Sequence, residues 1–487
     1  MIHAGQWGLL LLSLAWTLWF VFAGFGNHQD PLYWLYKYQH MEGGWMASGT
    51  LLTGGAIVRL FGAELLPLRL AGWLCVAVAI ALPYLFMQNG EQRRANLHWL
   101  AVAYLLTGYG AFQEFSPGTL SVLLLSALWV TQSPVIAGLA VAVRFPNILV
   151  LPVMMVLWRR KSLWNVPIAA LSAGAVYLLG YGLITPAAAD AAMNSHALTS
   201  MMSKLWQSGG MLAGYGLIAA GVLAGGRVTE KYKTATGIAV GAVLAYFIAC
   251  GLRPLQWYNT DMTYLIAALC IGTALAARQR TLYAGIAIMA VATLGTDTGW
   301  LKLFPAVVCL LPLAATYHTE ENKRYLWCAL AVMSIAVMSR MATNSIGQCR
   351  LSQADTTATI APYTHLRIRG TEQERLAHYQ ADYDSLKAEN HVLALGQEMH
   401  LMRAVTGCEA ARYNEFWSNI YDSVYTAKYR RIIREERPIV FCSFSPQFKT
   451  KPQYKDRHSA LEEMLREEGY GEIDRSRYKY MIYIPEP

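Results

Sequence analysis

One acidic residue follows directly after the first apolar stretch of the chain, and its position makes it a candidate for chemistry. The apolar run from Leu9 to Phe25 is long enough to cross a bilayer. Asp30 comes five residues later, with His28 and Tyr33 beside it. A carboxylate delivered to a membrane surface is costly to hold there, so the default interpretation is a functional site. The alternative interpretation is a solvated loop acid that takes no part in a reaction.

Further ionisable residues stand at the ends of later apolar segments. Arg253 ends one of them, and Tyr258 follows it closely. Glu114 ends an earlier segment, and Asp297 lies in a short turn before Trp300. An arginine presents a planar fork of donors that matches phosphate oxygens. In the alternative interpretation these residues are an arginine that extends to lipid headgroups, a helix-capping acid and a turn acid.

The composition indicates the setting in which these residues work. Of the 487 residues, 55% are hydrophobic and only 15% are charged, with a mean hydropathy of +0.29. Soluble proteins carry about 25% charged residues, so the chain is a polytopic membrane protein. Residues 1–340 hold 20 Lys and Arg against 11 Asp and Glu, whereas residues 341–487 hold 20 of each. A tail without excess positive charge argues against binding of nucleic acid.

Clusters of basic residues recur between the apolar segments and predict the topology. They comprise Arg93 and Arg94; Arg159 to Lys161; Arg227, Lys231 and Lys233; Arg278 and Arg280; and Lys323 and Arg324. The positive-inside rule places such loops in the cytoplasm. All five clusters reach that side if the N-terminus is cytoplasmic and residues 134–157 form a broken or re-entrant pair rather than one span. Pro146, in the middle of that stretch, supplies the break.

This topology predicts two parts of the chain. Residues 1–340 form an all-α polytopic domain with about 11–13 transmembrane helices, and residues 26–67 are its first outer loop. In that loop, Pro31–His40 is rich in aromatic residues, which predicts a helix at the membrane interface. Trp45–Phe61 is apolar but contains several Gly and Ser residues, so we expect a second surface or half-buried helix; a spanning helix is the alternative.

The extracytoplasmic tail, residues 341–487, alternates between strand and helix patterns. The predicted strands are Asn390–Gly396, Arg437–Phe444 and Tyr478–Ile484, and the predicted helices are Glu372–Asn390, Glu398–Thr406 and Ser459–Glu468. The tail is therefore predicted to be a small α/β domain. The chain contains no phosphate-binding glycine loop, and its cysteines lack metal-type spacing. We therefore expect no cofactor, and the spacing does not indicate a divalent metal.

Several short segments together resemble a known family. They are the acid after span one, Arg69–Gly72 at the start of span two, Ala137–Ala140 with Arg144–Pro146 in mid-chain, and Val392–Gly396, Ala411–Tyr413 and Arg437–Val440 in the tail. Their order along nearly the whole chain resembles the GT-C superfamily of polyprenyl-phosphate-sugar-dependent glycosyltransferases, in its bacterial form with a small outer C-terminal domain. Members often carry two acids in the first loop, whereas here Gln29 precedes Asp30.

The resemblance implies roles for the candidate residues. Asp30 would be the base that takes the proton of the acceptor hydroxyl. Arg253 would neutralise the leaving lipid phosphate, with Tyr258 beside it; Lys204 and Lys302 are the alternatives. The remaining candidates for substrate binding are His28, Tyr33, Glu114 and Asp297. The implied reaction is the inverting transfer of a sugar from a polyprenyl-phosphate donor to a glycolipid, polysaccharide or protein acceptor at the outer face of the cytoplasmic membrane.

Two other classes of protein fit the same pattern less well. A flippase or transporter of lipid-linked sugars predicts internal repeats with paired broken helices, whereas only one clear break is present in this sequence. A non-catalytic membrane scaffold with a binding tail predicts that Asp30 can be replaced without loss of function. The sequence names neither the sugar nor the acceptor, and it leaves the second acid, metal dependence and oligomeric state open.

Overall fold

The computed structural model describes residues 2–22, 29–107, 115–186, 260–293, 304–317, scattered positions from 323 to 342, and then 351–387, 391–396, 399–410, 423–443 and 461–486. Within helix 29–40, the side chains of Gln29 and Asp30 are outside the described part. The sequence also predicts membrane spans over the apolar segments 210–226 and 235–252, which lie outside the described residues.

The first part of the chain is a bundle of mostly apolar helices, as predicted. They are α1 (Ile2–Val21), α2 (Gln29–His40), α3 (Ser48–Phe61), α4 (Leu65–Met87), α5 (Gly90–Ala95), α6 (Leu97–Thr107), α7 (Pro117–Thr131), α8 (Pro134–Val143), α9 (Val150–Trp158), α10 (Ser162–Leu183), α11 (Thr260–Ala277), α12 (Arg280–Ala290) and α13 (Phe304–Ala314). Among the described residues, three helical stretches are long and apolar enough to cross a membrane: Ala4–Val21, Leu65–Met87 and Phe145–Leu183. In the last stretch, Arg159 has a φ of 53° between α9 and α10.

The predicted break in mid-chain is present. Helix α8 ends at Val143, Arg144 is extended, and a short 3₁₀ turn over Phe145–Leu149 leads into α9. Trp158 at the end of α9 donates its indole N–H to the carbonyl of Gln132, 2.8 Å away, just before α8 begins. The two ends of the hairpin therefore lie side by side, which is the geometry of a re-entrant pair.

The tip of this hairpin lies against the beginning of α3. The hydroxyl of Thr50 donates to the carbonyl of Val143 at 2.9 Å. A Cβ added at Gly49 would lie 3.1 Å from the backbone N of Val143, so the two backbones approach closely there. Helix α3 has 14 residues, fewer than the ~20 that a spanning helix needs. The structure therefore favours the half-buried interpretation of this segment.

Helix α4 fixes the end of α1, where the first outer loop begins. Arg69 is buried, with 2% of its surface exposed, and its Nη2 donates to the carbonyl of Phe20 at 2.9 Å. Trp73, one turn later, donates to the hydroxyl of Thr17 at 3.1 Å. A guanidinium at the C-terminus of a helix satisfies a carbonyl that has no partner in its own helix and complements the negative end of the helix dipole.

The tail forms the predicted α/β domain. Its central sheet contains five strands in the order β6-β5-β7-β9-β8, namely Glu409–Ala410, Val392–Gly396, Ile439–Ser443, Tyr480–Pro485 and Tyr470–Arg475. Strands β6, β5 and β7 are parallel, while β9 is antiparallel to both β7 and β8. The helices are α14 (Gly370–Leu386), α15 (Met399–Thr406), α16 (Ser423–Glu436) and a helical segment over 461–467. Strand β8 was not predicted.

Two short ladders complete the described strands. Glu42–Gly43 (β1) pairs in parallel with Thr185–Pro186 (β2), which follows α10. Thr356–Thr357 (β3) pairs with Arg367–Ile368 (β4) ahead of the central sheet. The first ladder ties the outer loop to the end of α10, and the second begins the α/β domain.

The α/β domain is fastened to the outer loop by backbone and side-chain hydrogen bonds. Leu65 donates its N–H to Pro362 at 2.9 Å, and Arg367 donates to Phe22 at 2.7 Å. Thr364 donates its hydroxyl to Glu64 Oε1 at 3.0 Å. Buried apolar residues of α2, α3 and α4 continue into those of the central sheet as one hydrophobic cluster. The domain boundary at residue 340 remains a prediction.

Candidate functional site

Helix α2, which carries Asp30, is fixed by its apolar face. Leu32, Leu35 and Tyr38 are almost fully buried. A Cβ added at Gly54 in α3 would lie 2.4 Å from the ring of Tyr38, so only glycine permits this close approach. The Tyr38 hydroxyl also donates to the carbonyl of Phe115 at 3.0 Å. The position of α2 against the bundle is therefore closely determined.

A second face of α2 carries the polar and aromatic positions. The helical repeat places positions 30, 33, 34 and 37 on one face, with Asp30 in the first turn, where the helix dipole favours a carboxylate. Tyr33 and Trp34 are in edge contact, with ring centroids 5.6 Å apart. The ammonium of Lys37 lies 4.2 Å from the centroid of Tyr33 and 5.5 Å from that of Trp34. Such cation–π contacts hold a positive charge over this face.

Helix α15 of the α/β domain packs against α2 and adds an arginine and a histidine. The guanidinium carbon of Arg403 lies 3.4 Å from the ring centroid of Tyr36. Nη2 of Arg403 donates a hydrogen bond to Nδ1 of His400, 2.9 Å away. The ring of His400 is in turn in edge contact with Tyr33, at 5.9 Å between centroids. Residues far apart in sequence therefore meet on the surface of α2.

The histidine at this contact is neutral. Burial, followed by the positive charges of Arg403 and Lys37, lowers the pKa of His400 to about 3. Because Arg403 donates to Nδ1, this nitrogen is the acceptor and the proton resides on Nε2. Burial also lowers the pKa of Arg403, opposed by Tyr36, Cys408 and Glu42, but an arginine remains charged in proteins. The histidine thus orients the guanidinium without adding charge.

A third segment of the chain reaches the same place. The hydroxyl of Tyr36 donates to Glu42 Oε2 at 3.1 Å. Glu42 pairs with Thr185 in the ladder that follows α10, and the N–H of Thr185 bonds the carbonyl of Met41 at 2.8 Å. We call the six residues Tyr33, Tyr36, Lys37, Glu42, His400 and Arg403 the junction cluster, because the outer loop, the end of α10 and the α/β domain meet there.

Most of the predicted site residues lie outside the described part of the chain. These are His28, Glu114, Arg253, Tyr258 and Asp297, together with the alternatives Lys204 and Lys302, and their roles remain predictions. The structure describes the backbone of Asp30 and the whole of Tyr33, both in α2. It therefore brings Tyr33 to the junction cluster and places Asp30 one helical turn before it.

Arg144 lies at the break between α8 and the short 3₁₀ turn that follows it. The structure places it at the hairpin tip beside α3, where its Nη1 donates to the carbonyl of Ala292 at 2.8 Å. Two aromatic contacts of Trp45 cover the same tip, with Phe145 at 5.8 Å and Tyr177 at 5.4 Å between centroids. The hairpin thus carries a cation towards the outer loop.

The sequence did not predict four members of the junction cluster as site residues: Tyr36, Lys37, His400 and Arg403. Lys37 was detectable, since it lies seven residues after Asp30 and therefore on the same helical face. His400 and Arg403 gave no local signal, because their significance comes from packing against α2. Among the described residues, no group of three or more His, Cys, Asp or Glu side chains is placed to hold a metal ion.

Comparisons with known proteins give similarity at the level of structure. No family model matches the sequence, and no curated protein matches it. The structure is similar to two crystal structures of ArnT from Cupriavidus metallidurans, one in the apo state and one bound to undecaprenyl phosphate. Each match covers 99% of both chains with a TM-score of 0.44, at 13% identity for the apo state and 12% for the bound state.

At this level of similarity no residue of ArnT assigns a role to a residue of this chain. The fold prediction is confirmed by the described helices and strands: a helical membrane domain followed by a small α/β domain.

Proposed function

We propose that the chain is an integral-membrane glycosyltransferase of the GT-C type. It transfers a sugar from a polyprenyl-phosphate donor to a glycolipid, polysaccharide or protein acceptor at the outer face of the membrane. The observation that carries this proposal is the position of α2. This helix bears Asp30 in its first turn and lies between an apolar helical bundle and an α/β domain, with Tyr33 and Lys37 on the same helical face.

The chemistry follows from the residues on that helix. A carboxylate at position 30 takes the proton of the acceptor hydroxyl as the oxygen attacks the anomeric carbon. The bond between the anomeric carbon and the phosphate oxygen breaks, and its electron pair remains on the phosphate. The anomeric centre is inverted because the displacement is direct. Fixed cations lower the barrier by stabilising the charge that develops on the leaving group, which is the role we propose for Arg253.

Aromatic rings beside an acid suit a sugar substrate. Tyr33 and Trp34 present ring faces and a hydroxyl next to the first turn of α2. Rings of this kind offer both apolar contact area and a polar group for hydrogen bonding. We therefore propose that Tyr33 contacts the transferred sugar or the acceptor, and that His28, Glu114, Tyr258 and Asp297 complete substrate binding.

The test is a transfer assay with the purified full-length chain in detergent micelles. Polyprenyl-phosphate sugars with a labelled sugar are offered together with glycolipid, polysaccharide and protein acceptors from bacterial envelopes. We expect label in one acceptor and release of polyprenyl phosphate. A flippase forms no new glycosidic bond, and micelles contain no compartments to move lipid between. Absence of transfer with every donor and acceptor, from protein that translocates labelled lipid in vesicles, would favour the flippase instead.

The orientation is tested separately. We propose that the N-terminus is cytoplasmic and that the α/β domain is extracytoplasmic, in the cytoplasmic membrane. Reporter fusions at Arg160 and at Arg350 should report opposite sides of the membrane. The same side for both would remove the topology on which the outer location of Asp30 rests.

A further inference from the structure

Arg403 is held differently from other arginines of the α/β domain. Arg375, Arg434, Arg466 and Arg475 each form an ion pair with a carboxylate of the same domain, at 2.6 to 3.3 Å. Among the described residues, Arg403 has no carboxylate within ion-pair distance; its guanidinium stacks on Tyr36 and bonds one neutral histidine. Its side chain is largely buried but keeps some exposed surface. Stacking leaves the edge of the planar fork available for a bidentate acceptor.

A second cation lies on the same surface. Lys37 lies over Tyr33, and Tyr33 contacts His400, the histidine that bonds Arg403. Burial, and after it the positive charges of Arg403 and Lys37, lower the pKa of His400. Glu42 is the nearby acid, and its contribution to Arg403 is smaller than the effect of burial. Among the side chains that the structure describes, Lys37 and Arg403 are two cations beside a neutral imidazole and Glu42, an arrangement that favours the binding of an anion.

We propose that the α/β domain contributes Arg403 to a phosphate-binding site on α2, with Lys37 as the second cation. This proposal rests on the function proposed above and names the part of it that the tail performs. The phosphate belongs either to the polyprenyl-phosphate donor or to a phosphorylated acceptor, because both present the same oxygens. Tyr36 and His400 position the guanidinium: one supports its face, and the other accepts one of its N–H groups.

The experiment measures phosphate binding directly, in the full-length chain in lipid nanodiscs. The variants are Arg403→Ala and Arg403→Met, and Arg431→Ala is the matched control because that side chain is 70% exposed and reaches Glu435 only at 3.8 Å. The first probe is polyprenyl phosphate. We expect binding to weaken roughly tenfold to a hundredfold in Arg403→Ala, as is typical of losing hydrogen bonds to a charged group. Arg431→Ala should bind as the wild type does.

A second probe distinguishes the source of the phosphate. Inorganic phosphate is titrated into the wild type and into Arg403→Ala with polyprenyl phosphate at saturation. If the donor phosphate occupies the site, inorganic phosphate finds no site there in either protein. If the site serves the acceptor, binding of polyprenyl phosphate is unchanged in the variant, and inorganic phosphate binds to the wild type but not to Arg403→Ala.

The outcomes separate this inference from the proposed function. If neither probe distinguishes Arg403→Ala from the wild type while the variant keeps its Tm, the inference is wrong, and transfer activity can still stand. If phosphate binding falls but no sugar is ever transferred, the site is real and the proposed function fails. Should Arg403→Ala not fold, Arg403→Met decides, because its stem keeps the packing on Tyr36 and removes only the charge.

Discussion

The helical bundle and the α/β domain satisfy their buried polar groups in different ways. In the bundle, side chains donate to backbone carbonyls of neighbouring helices: Arg69 to Phe20, Tyr104 to Ala77 and Ser126 to Ala79. In the α/β domain, buried groups pair as ions, as in Arg375 with Glu372. An apolar medium makes an unpaired charge more costly than a bond to a carbonyl, whereas a water-exposed domain can hold ion pairs.

The junction cluster follows neither rule. Its two cations lie over aromatic rings, and one of them bonds a neutral histidine. The place where the two regions meet therefore has a polar arrangement of its own, in which cations lie over aromatic rings. Four substitutions test this contrast. One is on the face of α2 that carries Asp30, one is in each region, and one is in the contact that joins the two regions.

The largest effect is expected at Asp30. If its carboxylate accepts the acceptor proton, Asp30→Asn should reduce turnover by roughly a hundredfold to ten-thousandfold. Donor binding should change little, because the base acts only as the proton moves. Turnover and binding of polyprenyl phosphate are measured on the same purified protein. Near-normal turnover in the variant would exclude Asp30 from the mechanism and favour a scaffold.

The second prediction concerns the ion pairs of the α/β domain. Arg375 and Glu372 are buried, with side chains 3% and 9% exposed. Arg375→Met removes this partner, although Lys479 Nζ remains 3.0 Å from Glu372 Oε1. The change should cost about 3 kcal/mol and lower the Tm of the domain. Arg431→Met, at an exposed pair with Glu435, is the control and should leave the Tm nearly unchanged. Equal losses in the two variants would contradict the contrast.

The third prediction concerns the bundle, where close backbone approach replaces ion pairing. A Cβ added at Gly138 in α8 would lie 2.2 Å from the carbonyl oxygen of Ala169 in α10. Gly138→Ala should therefore force α8 and α10 apart and destabilise the bundle by about 2 kcal/mol. Gly174→Ala is the control, since nothing lies within 4 Å of its added Cβ. Thermal unfolding in micelles compares the two, and equal Tm values would show that the hairpin does not pack this tightly.

The sequence predicted several elements of each region but not the place where the two regions meet. Apolar runs and basic clusters predicted the spans, and Pro146 predicted the hairpin break that the structure shows between Val143 and Val150. The strand and helix patterns of the tail predicted β5, β7, β9, α14 and α15 because each is a local signal. Strand β8 contains a glycine, a glutamate and an aspartate and is only partly buried. Its apolar pattern is therefore weak, and the sequence did not predict it.

The candidate site was predictable only in part for the same reason. Asp30 and Tyr33 follow from their place after the first apolar run, and both are in α2. Arg403 acquires its significance from stacking on Tyr36, a contact between distant parts of the chain. No periodicity or motif encodes such a pairing, because it depends on how the finished α/β domain packs on the outer loop.

The smallest effect is expected at the contact that joins the two regions. Burial raises the pKa of Glu64, although the hydrogen bond from Thr364 opposes this. The folded state therefore prefers the protonated acid. Its contribution to stability is fully present below the unfolded pKa, about 4.3, and is lost as the pH rises through the higher folded value. Ionisation of Glu64 should therefore lower the Tm of the wild type as the pH rises through that interval.

Glu64→Gln mimics the protonated acid and keeps an acceptor for the Thr364 hydroxyl. The variant should therefore show a smaller difference in Tm between about pH 4 and about pH 7 than the wild type does. Glu435→Gln is the matched control, because that side chain is 64% exposed, and its curve should follow the wild type. Parallel curves for the wild type and Glu64→Gln would mean that the Glu64 carboxylate is ionised without cost in the folded chain. The contact between the outer loop and the α/β domain would then be polar and hydrated. The junction would resemble the surface of the α/β domain, and it would not separate two regions that satisfy their polar groups in different ways.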